Sequence, residues 1–379
     1  MTLNTPQSDV RESGVRESGV RESGARRPPW ERQEFKFWIG AMSVLALLTA
    51  VAAMGAIVMA SSKADKTIVQ AGSGTASGPQ IDTAAEPDAS FAARDPKAPA
   101  VPSGTVHRIT LEATEEVLEI APGVEQIMWT FGGEVPGPTI RGKVGDTFEF
   151  TLVNKGENAH SIDFHASKVA WNTEMRSIAP GESLVYRFEA KHAGIFMYHC
   201  GTPPVIHHIG NGMYGAIIVD PPTLGSVDHE FVMVQSELYT APSGEVAGPE
   251  KMLAEDWNGV VFNGYVNQYL HRPIRVEPNE RVRIWVLDAG PSENSSFHVI
   301  GTIFDTVYKE GEYLLVPNAG RGGSQALDLQ PAQGGFVEFT FDVPGLYPFV
   351  THKFASASKG SVGLFQAGEV ATADGGAGH

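Results

Sequence analysis

The segment "GIFMYHCGTPPVIHHIGNGMYG", residues 194–215, holds the single cysteine of a 379-residue chain, with His199, His207 and His208 within eight positions of it. A strand-like run leads into Cys200, and a second apolar run, "GMYGAIIV", leads away from Met213. Cys200, His208 and Met213 therefore sit on one loop and its flanks. The spacing, Cys-x7-His-x4-Met, places a thiolate, an imidazole and a thioether on one short stretch.

A second imidazole is available upstream, from His160 in "AHSIDFH". Two imidazoles, a thiolate and a weak axial thioether form a soft, mixed donor set that selects copper and suits electron transfer. One cysteine excludes an intrachain disulfide, and it excludes a zinc site built from several thiolates. The chain also lacks C-x-x-C-H, so a covalently attached c-type haem is excluded.

Strand parity predicts a second constellation. Neighbouring residues on a strand point to opposite faces. If Cys200 points inward, His199 points outward. In an extended "HSIDFH", His160 shares its face with Ile162 and Phe164, while His165 shares the other with Asp163. His165, Asp163 and His199 are thus expected together on the outer face. A metal site with an open position needs a third imidazole, and His352, in the second half of the chain, is the candidate. Asp163 and His298 remain as acid–base groups. His107, His192, His229 and His271 stand in polar surroundings and are expected to be solvated; His207 is expected to point away from the first site.

Around these motifs the body reads as β-rich and duplicated. Alternating runs such as "DTFEFTLV" and "SLVYRFEA" lie between turn signals such as "VPGP" and "APGE". "EKMLAED" is the best helix candidate. "FGGEVPGPTIRGKVGDTFEFTLVN" (131–154) is echoed at 262–288, and "PGESLVYRFEAKHAGIFMYHC" (180–200) at 331–352. Two all-β sandwiches of just over a hundred residues each are predicted.

The first hundred residues differ. Residues 1–36 are polar and carry three VRESG repeats over 10–24; residues 37–60 are uncharged and long enough to span a bilayer as a helix or signal anchor. Arg26, Arg27, Arg32 and Lys36 precede that stretch, so the N-terminus is expected inside and the body outside the cytoplasm, held to the cell membrane by a single pass. Residues 61–104 read as a flexible linker. The net charge is −16, which argues against a nucleic-acid partner.

Taken together, "HSIDFH", "YHC", "HHIGNGM", "FHVIG" and "THKF" resemble the copper-containing nitrite reductases, and occur in that family's order over about 105–368. The resemblance implies two tandem cupredoxin-like Greek-key β-sandwich domains, at 105–222 and 228–368, with a flexible tail at 369–379. It implies two coppers per subunit, a type 1 copper held by His160, Cys200, His208 and Met213, and a type 2 copper held by His165, His199 and His352. It makes Asp163 and His298 the catalytic pair and places Ile300 against the substrate, nitrite. The family is a homotrimer whose type 2 copper lies between domain 1 of one subunit and domain 2 of the next. Its reaction is the one-electron reduction of nitrite to nitric oxide and water, with electrons from a small c-type cytochrome or a cupredoxin. Position 207 departs from the family, being His where many members have Trp.

Two other readings are weighed. A membrane-tethered cupredoxin-type electron carrier needs only the Cys200 set, and leaves Asp163, His165 and His298 unexplained. A two-domain multicopper oxidase needs His-x-His pairs, and the chain has none.

Overall fold

The strands of the first half are β1 (Val106–Ala121), β2 (Val124–Phe131), β3 (Ile140–Lys143), β4 (Thr147–Asn154), β5 (Asp163–Phe164), β6 (Ser183–Glu189), β7 (Gly194–His199) and β8 (Tyr214–Asp220). They form two four-stranded sheets, ordered β2-β1-β4-β6 and β3-β8-β7-β5. These belong to a computed structural model that describes residues 78–317 and 322–370. The polar segment, the expected membrane helix, the start of the linker and most of the tail lie outside the described residues. Among those described, no helix is long and apolar enough to cross a membrane.

Alternation decides which face of each strand is buried. In β4, Phe148, Phe150 and Leu152 turn inward, and in β6 Tyr186 and Phe188 do. With Phe164 of β5 they build a ring cluster, Phe150 and Phe164 stacking at 4.0 Å. Each fully buried phenylalanine contributes about 1.5–3 kcal/mol.

The second half has β9 (His229–Leu238), β10 (Gly259–Phe262), β11 (Ile274–Val276), β12 (Arg281–Gly290), β13 (Ser295–Val299), β14 (Thr306–Lys309), β15 (Glu312–Leu315), β16 (Leu327–Leu329), β17 (Gly334–Thr340), β18 (Gly345–Thr351) and β19 (Val362–Ala367). Its sheets are β10-β9-β12-β17-β14-β15 and β11-β19-β18-β13-β16. The duplication read from sequence appears in the pairing. β1 and β4 run parallel, as do β9 and β12; β3 and β8 run parallel, as do β11 and β19. Even the glycines of the two closing strands correspond. Gly215 lies opposite Tyr198 and Gly363 opposite Phe349, and a Cβ at either would sit 2.3 Å or 2.1 Å from the facing ring.

β8 is buried along its whole length because both faces are covered. Ile217 and Val219 face the first core. Tyr214, Ala216 and Ile218, with Ile195 and Met197 of β7, pack instead against Val232, Val234, Trp285, Leu287 and Phe336 of the second half. An ion network closes one edge of this seam. Arg141 binds Asp220 at 2.9 Å and Glu230 at 2.6 Å, and Arg283 reaches Glu230 at 3.0 Å. Burial alone would raise the Glu230 pKa, but hydrogen bonds from Arg141 and Trp285 outweigh it and hold it low.

Two expectations are corrected. The linker is not free from residue 78 onward: Val232 N–H donates to Pro96 O, Ala98 N–H donates to Glu230 O, Thr240 Oγ1 donates to Pro79 O, and Phe91 stacks on Tyr265 at 4.5 Å. Its backbone groups find partners along β9 and its neighbours, so residues 78–99 form a strap across the second half. His107 is not solvated either; it is buried against Asp146 at 2.8 Å. The short helix Pro249–Leu253 overlaps the first four residues of the helix candidate, Glu250 to Leu253.

Arg141→Met leaves Asp220 without its partner and takes one of two arginines from Glu230, and should lower stability by about 3–5 kcal/mol, read as a fall in urea midpoint. Glu230 has its folded pKa below its ordinary 4.5, so its stabilisation is present above pH 4.5 and is lost as pH falls through the folded value. The deficit of the variant should therefore narrow below pH 4.5.

Candidate metal centre and active site

The Cys200 loop begins one residue past β7 and returns at β8. It is closed by backbone bonds from Cys200 N–H to Met213 O (3.1 Å) and from Met213 N–H to His208 O (3.0 Å). Within it, the short helix Val205–Gly210 turns His208 inward. His160, brought in just before β5, completes a buried group with Cys200 and His208. Met213 is fully buried in the same apolar cluster as Cys200.

The geometry fits a metal. His160 Nδ1 and His208 Nδ1 are 3.2 Å apart, and Cys200 Sγ lies 3.3 Å from His208 Nδ1 and 4.0 Å from His160 Nδ1; a triangle with those sides has a centre about 2.1 Å from each corner, the length of a metal–imidazole bond. Burial pushes the His160 pKa down and that of His208 to about 3, with the His160 ring adding to the effect. Both rings are therefore neutral at pH 7, with lone pairs to offer. Burial pushes the Cys200 thiol up, opposed by hydrogen bonds from Ser161 and Thr202. A cation bound among them would displace the thiol proton.

The outer constellation also forms. Asp163 pairs directly with His199 across β5 and β7. His165 Nε2 and His199 Nε2 are 3.0 Å apart, and Asp163 Oδ2 lies 4.0 Å from the first and 3.8 Å from the second. His199 Nδ1–H donates to Cys200 O at 2.9 Å, which fixes the tautomer and leaves Nε2 free to bind a metal.

His352 does not join this group. It stands just past β18, with its ring 5.6 Å from that of His298 on β13. Its backbone N–H donates to Ser296 O at 2.7 Å. His298 Nδ1–H donates to Gln325 O. Ile300, two residues past His298, and Phe354 are exposed, and the Phe354 ring lies 4.8 Å from that of His352. One chain thus presents two open halves, Asp163, His165 and His199 on the first domain and His298, His352 and Ile300 on the second.

Of three further neighbours, two, Trp129 and Glu293, were not singled out from sequence. Trp129 packs its ring 4.7 Å from both His208 and His207. His207, half-buried, faces Ala247 O at 3.0 Å rather than open solvent. Buried Glu293 accepts hydrogen bonds from Ser356 Oγ (2.9 Å) and pairs with Lys353, so one carboxylate clasps the turn that follows His352. The strand-forming run "IMWTF" marks Trp129 as an aromatic of β2; nothing local marks Glu293.

Comparison with known proteins agrees with this chemistry. A multicopper oxidase family model matches residues 112–224. The copper-containing nitrite reductase of Neisseria meningitidis serogroup A is 38% identical over 267 residues, covering 68% of each chain. The chain belongs to the copper-containing nitrite reductases. Among solved structures, the copper nitrite reductase of Nitrosomonas europaea superposes with a TM-score of 0.63 at 35% identity, covering 69% of this chain and 94% of that one. A copper-containing nitrite reductase from Thermus scotoductus gives 0.63 at 30% identity, covering 69% and 61%. Copper is therefore the metal of this nitrite reductase, and its fold is mostly β and cupredoxin-like.

Cys200→Ala should remove the thiolate-to-copper absorption in the visible spectrum while leaving a copper signal in electron paramagnetic resonance from the second group. Visible colour retained in the variant would show that Cys200 is not a ligand.

Proposed function

We propose that the enzyme reduces nitrite by one electron and two protons to nitric oxide and water, the electron coming from a small c-type cytochrome or cupredoxin. The observation that carries this is the juxtaposition, one residue apart, of the buried Cys200 group and the outward Asp163–His165–His199 group. Copper, when bound, supplies one-electron chemistry and a position for nitrite. His160, Cys200, His208 and Met213 would hold the type 1 copper, buried away from substrate. His165 and His199, with an imidazole from His352, would hold the type 2 copper.

The remaining side chains manage protons and space. Asp163 Oδ2 stands within 4.0 Å of both imidazole nitrogens without being needed as a ligand, and can hand a proton to a nitrite oxygen. His298 has Nδ1–H committed to a carbonyl, so Nε2 is the nitrogen that relays a second proton. Exposed Ile300 supplies an apolar wall against nitrite. A carrier role would leave this outer group without a purpose.

The open halves support a homotrimer in which domain 1 of one subunit meets domain 2 of the next. We place the body outside the cytoplasm on a single membrane pass, on the strength of the uncharged stretch 37–60 and its basic flank.

Asp163→Asn should keep both coppers and slow nitric oxide formation from nitrite by roughly 10²–10⁴. Loss of type 2 copper from that variant would instead make Asp163 a ligand. The shared site and the anchor are tested together. Exported fragments 63–379 carrying His165→Ala or His352→Ala should be recovered free of membranes and inactive. Co-expressed, they should regain partial activity, because one interface of a mixed trimer has every ligand intact. Mixed trimers no more active than either variant would place the whole site within one chain.

A further inference from the structure

One buried nitrogen of the Cys200 centre is left over. His160 Nδ1 faces Cys200 and His208, while its Nε2 is buried with no hydrogen-bond partner. The charged group beside it is Glu115, with Oε1 at 3.8 Å. That carboxylate is held in place. Glu157 N–H donates to both of its oxygens at 2.9 Å, and Asn158 adds its backbone N–H at 3.3 Å and its side-chain amide at 3.1 Å. Gly156 makes room for this clamp, since a Cβ there would sit 2.6 Å from Glu115 Oε2.

The outer side of Glu115 faces a cavity of about 1140 Å³ whose walls also include His208. Glu116, Glu157 and Glu245 share that wall. Lys155 is also there, and its ammonium is paired with Glu112 at 2.6 Å. The cavity is thus negatively charged, and it opens at the edge of the ligand set. A cationic protein surface is its electrostatic complement.

We infer that Glu115 is a positioning residue of the type 1 centre, acting through His160, and that it couples donor docking to the ease of reduction. The inference rests on the type 1 reading of Cys200, His160 and His208. A fixed negative charge beside the far nitrogen of a ligand imidazole makes that ligand more basic and favours the more positive, oxidised metal. A cationic donor seated in the cavity opposes that charge at short range, where little solvent screens it. The centre becomes easier to reduce while the donor is in place, and returns to its resting potential when the donor leaves. No proton moves in this step; one electron passes from the donor and the oxidised centre becomes reduced.

The test is a spectroelectrochemical titration of the visible band in the copper-loaded, full-length enzyme. Glu115→Gln, which keeps an oxygen acceptor for the Glu157 and Asn158 N–H groups, should retain the band and shift its midpoint potential upward. Glu157→Gln removes the same charge from the cavity rim and should leave the potential at the wild-type value. A redox-silent oligolysine peptide should raise the potential of the wild type and not that of Glu115→Gln. If Glu115→Gln fails to fold, Glu115→Asp, whose shorter side chain withdraws the carboxylate from His160, should give a smaller upward shift. An unchanged potential in the Glu115 variants, or an equal rise in Glu157→Gln, overturns the inference. So does an equal response to the peptide with and without Glu115. A wild-type enzyme with no visible band would instead refute the type 1 reading itself.

Discussion

The antiparallel pairing of Asp163–Phe164 with Tyr198–His199 is the contact on which both centres depend. It is only two residues long on the β5 side, yet it sets a parity. Phe164 and Tyr198 enter the first core, and Asp163 and His199 must then face outward. The residue after His199 is Cys200, which returns to the inner face. A slip of one residue in this register would exchange the two sets and leave a thiol on the surface. The ring cluster of Phe150, Phe164 and Phe188 makes that slip costly.

The second domain supports this arrangement from behind. The sheet that carries Cys200 and His199 shows its other face to β9, β12 and β17 through a shared apolar layer. That layer leaves the sheet little freedom to flex. The charged network of Arg141, Glu230 and Arg283 lies at its edge, where imperfect pairing would be penalised by burial. In the second domain the corresponding strand, β18, ends at Thr351, and the residue after it, His352, presents one imidazole with no cysteine beside it.

Much of this was legible in the chain. Alternation in "DTFEFTLV" and "SLVYRFEA" identified β4 and β6, because one face of each meets an apolar core. The spacing of Cys200 and His208 marked a loop that the fold gathers with His160, and parity separated His165, Asp163 and His199 from that group. What escaped the reading depends on distant partners. The strap at 78–99 has the composition of a linker, and composition does not record that its carbonyls and amides pair with β9. His107 looked solvated because Asp146, its partner, is 39 positions away. Glu293 gains its role only when the fold brings Lys353 and Ser356 to it. The glycines at 215 and 363 were visible as letters, but the rings that require them lie on the neighbouring strand.

The strap also sets a length. Had residues 61–104 all been unattached, the 44-residue chain between the proposed membrane pass and the first domain could have extended to about 150 Å. Since the chain is already laid against the second domain at residue 78, only 17 residues separate that point from the end of the stretch 37–60. Whatever conformation they take, they cannot span more than about 60 Å. On the proposed single pass at 37–60, the enzyme would work in a layer within about 60 Å of the bilayer. A donor confined to that same layer would meet it far more often than one diffusing through the whole compartment.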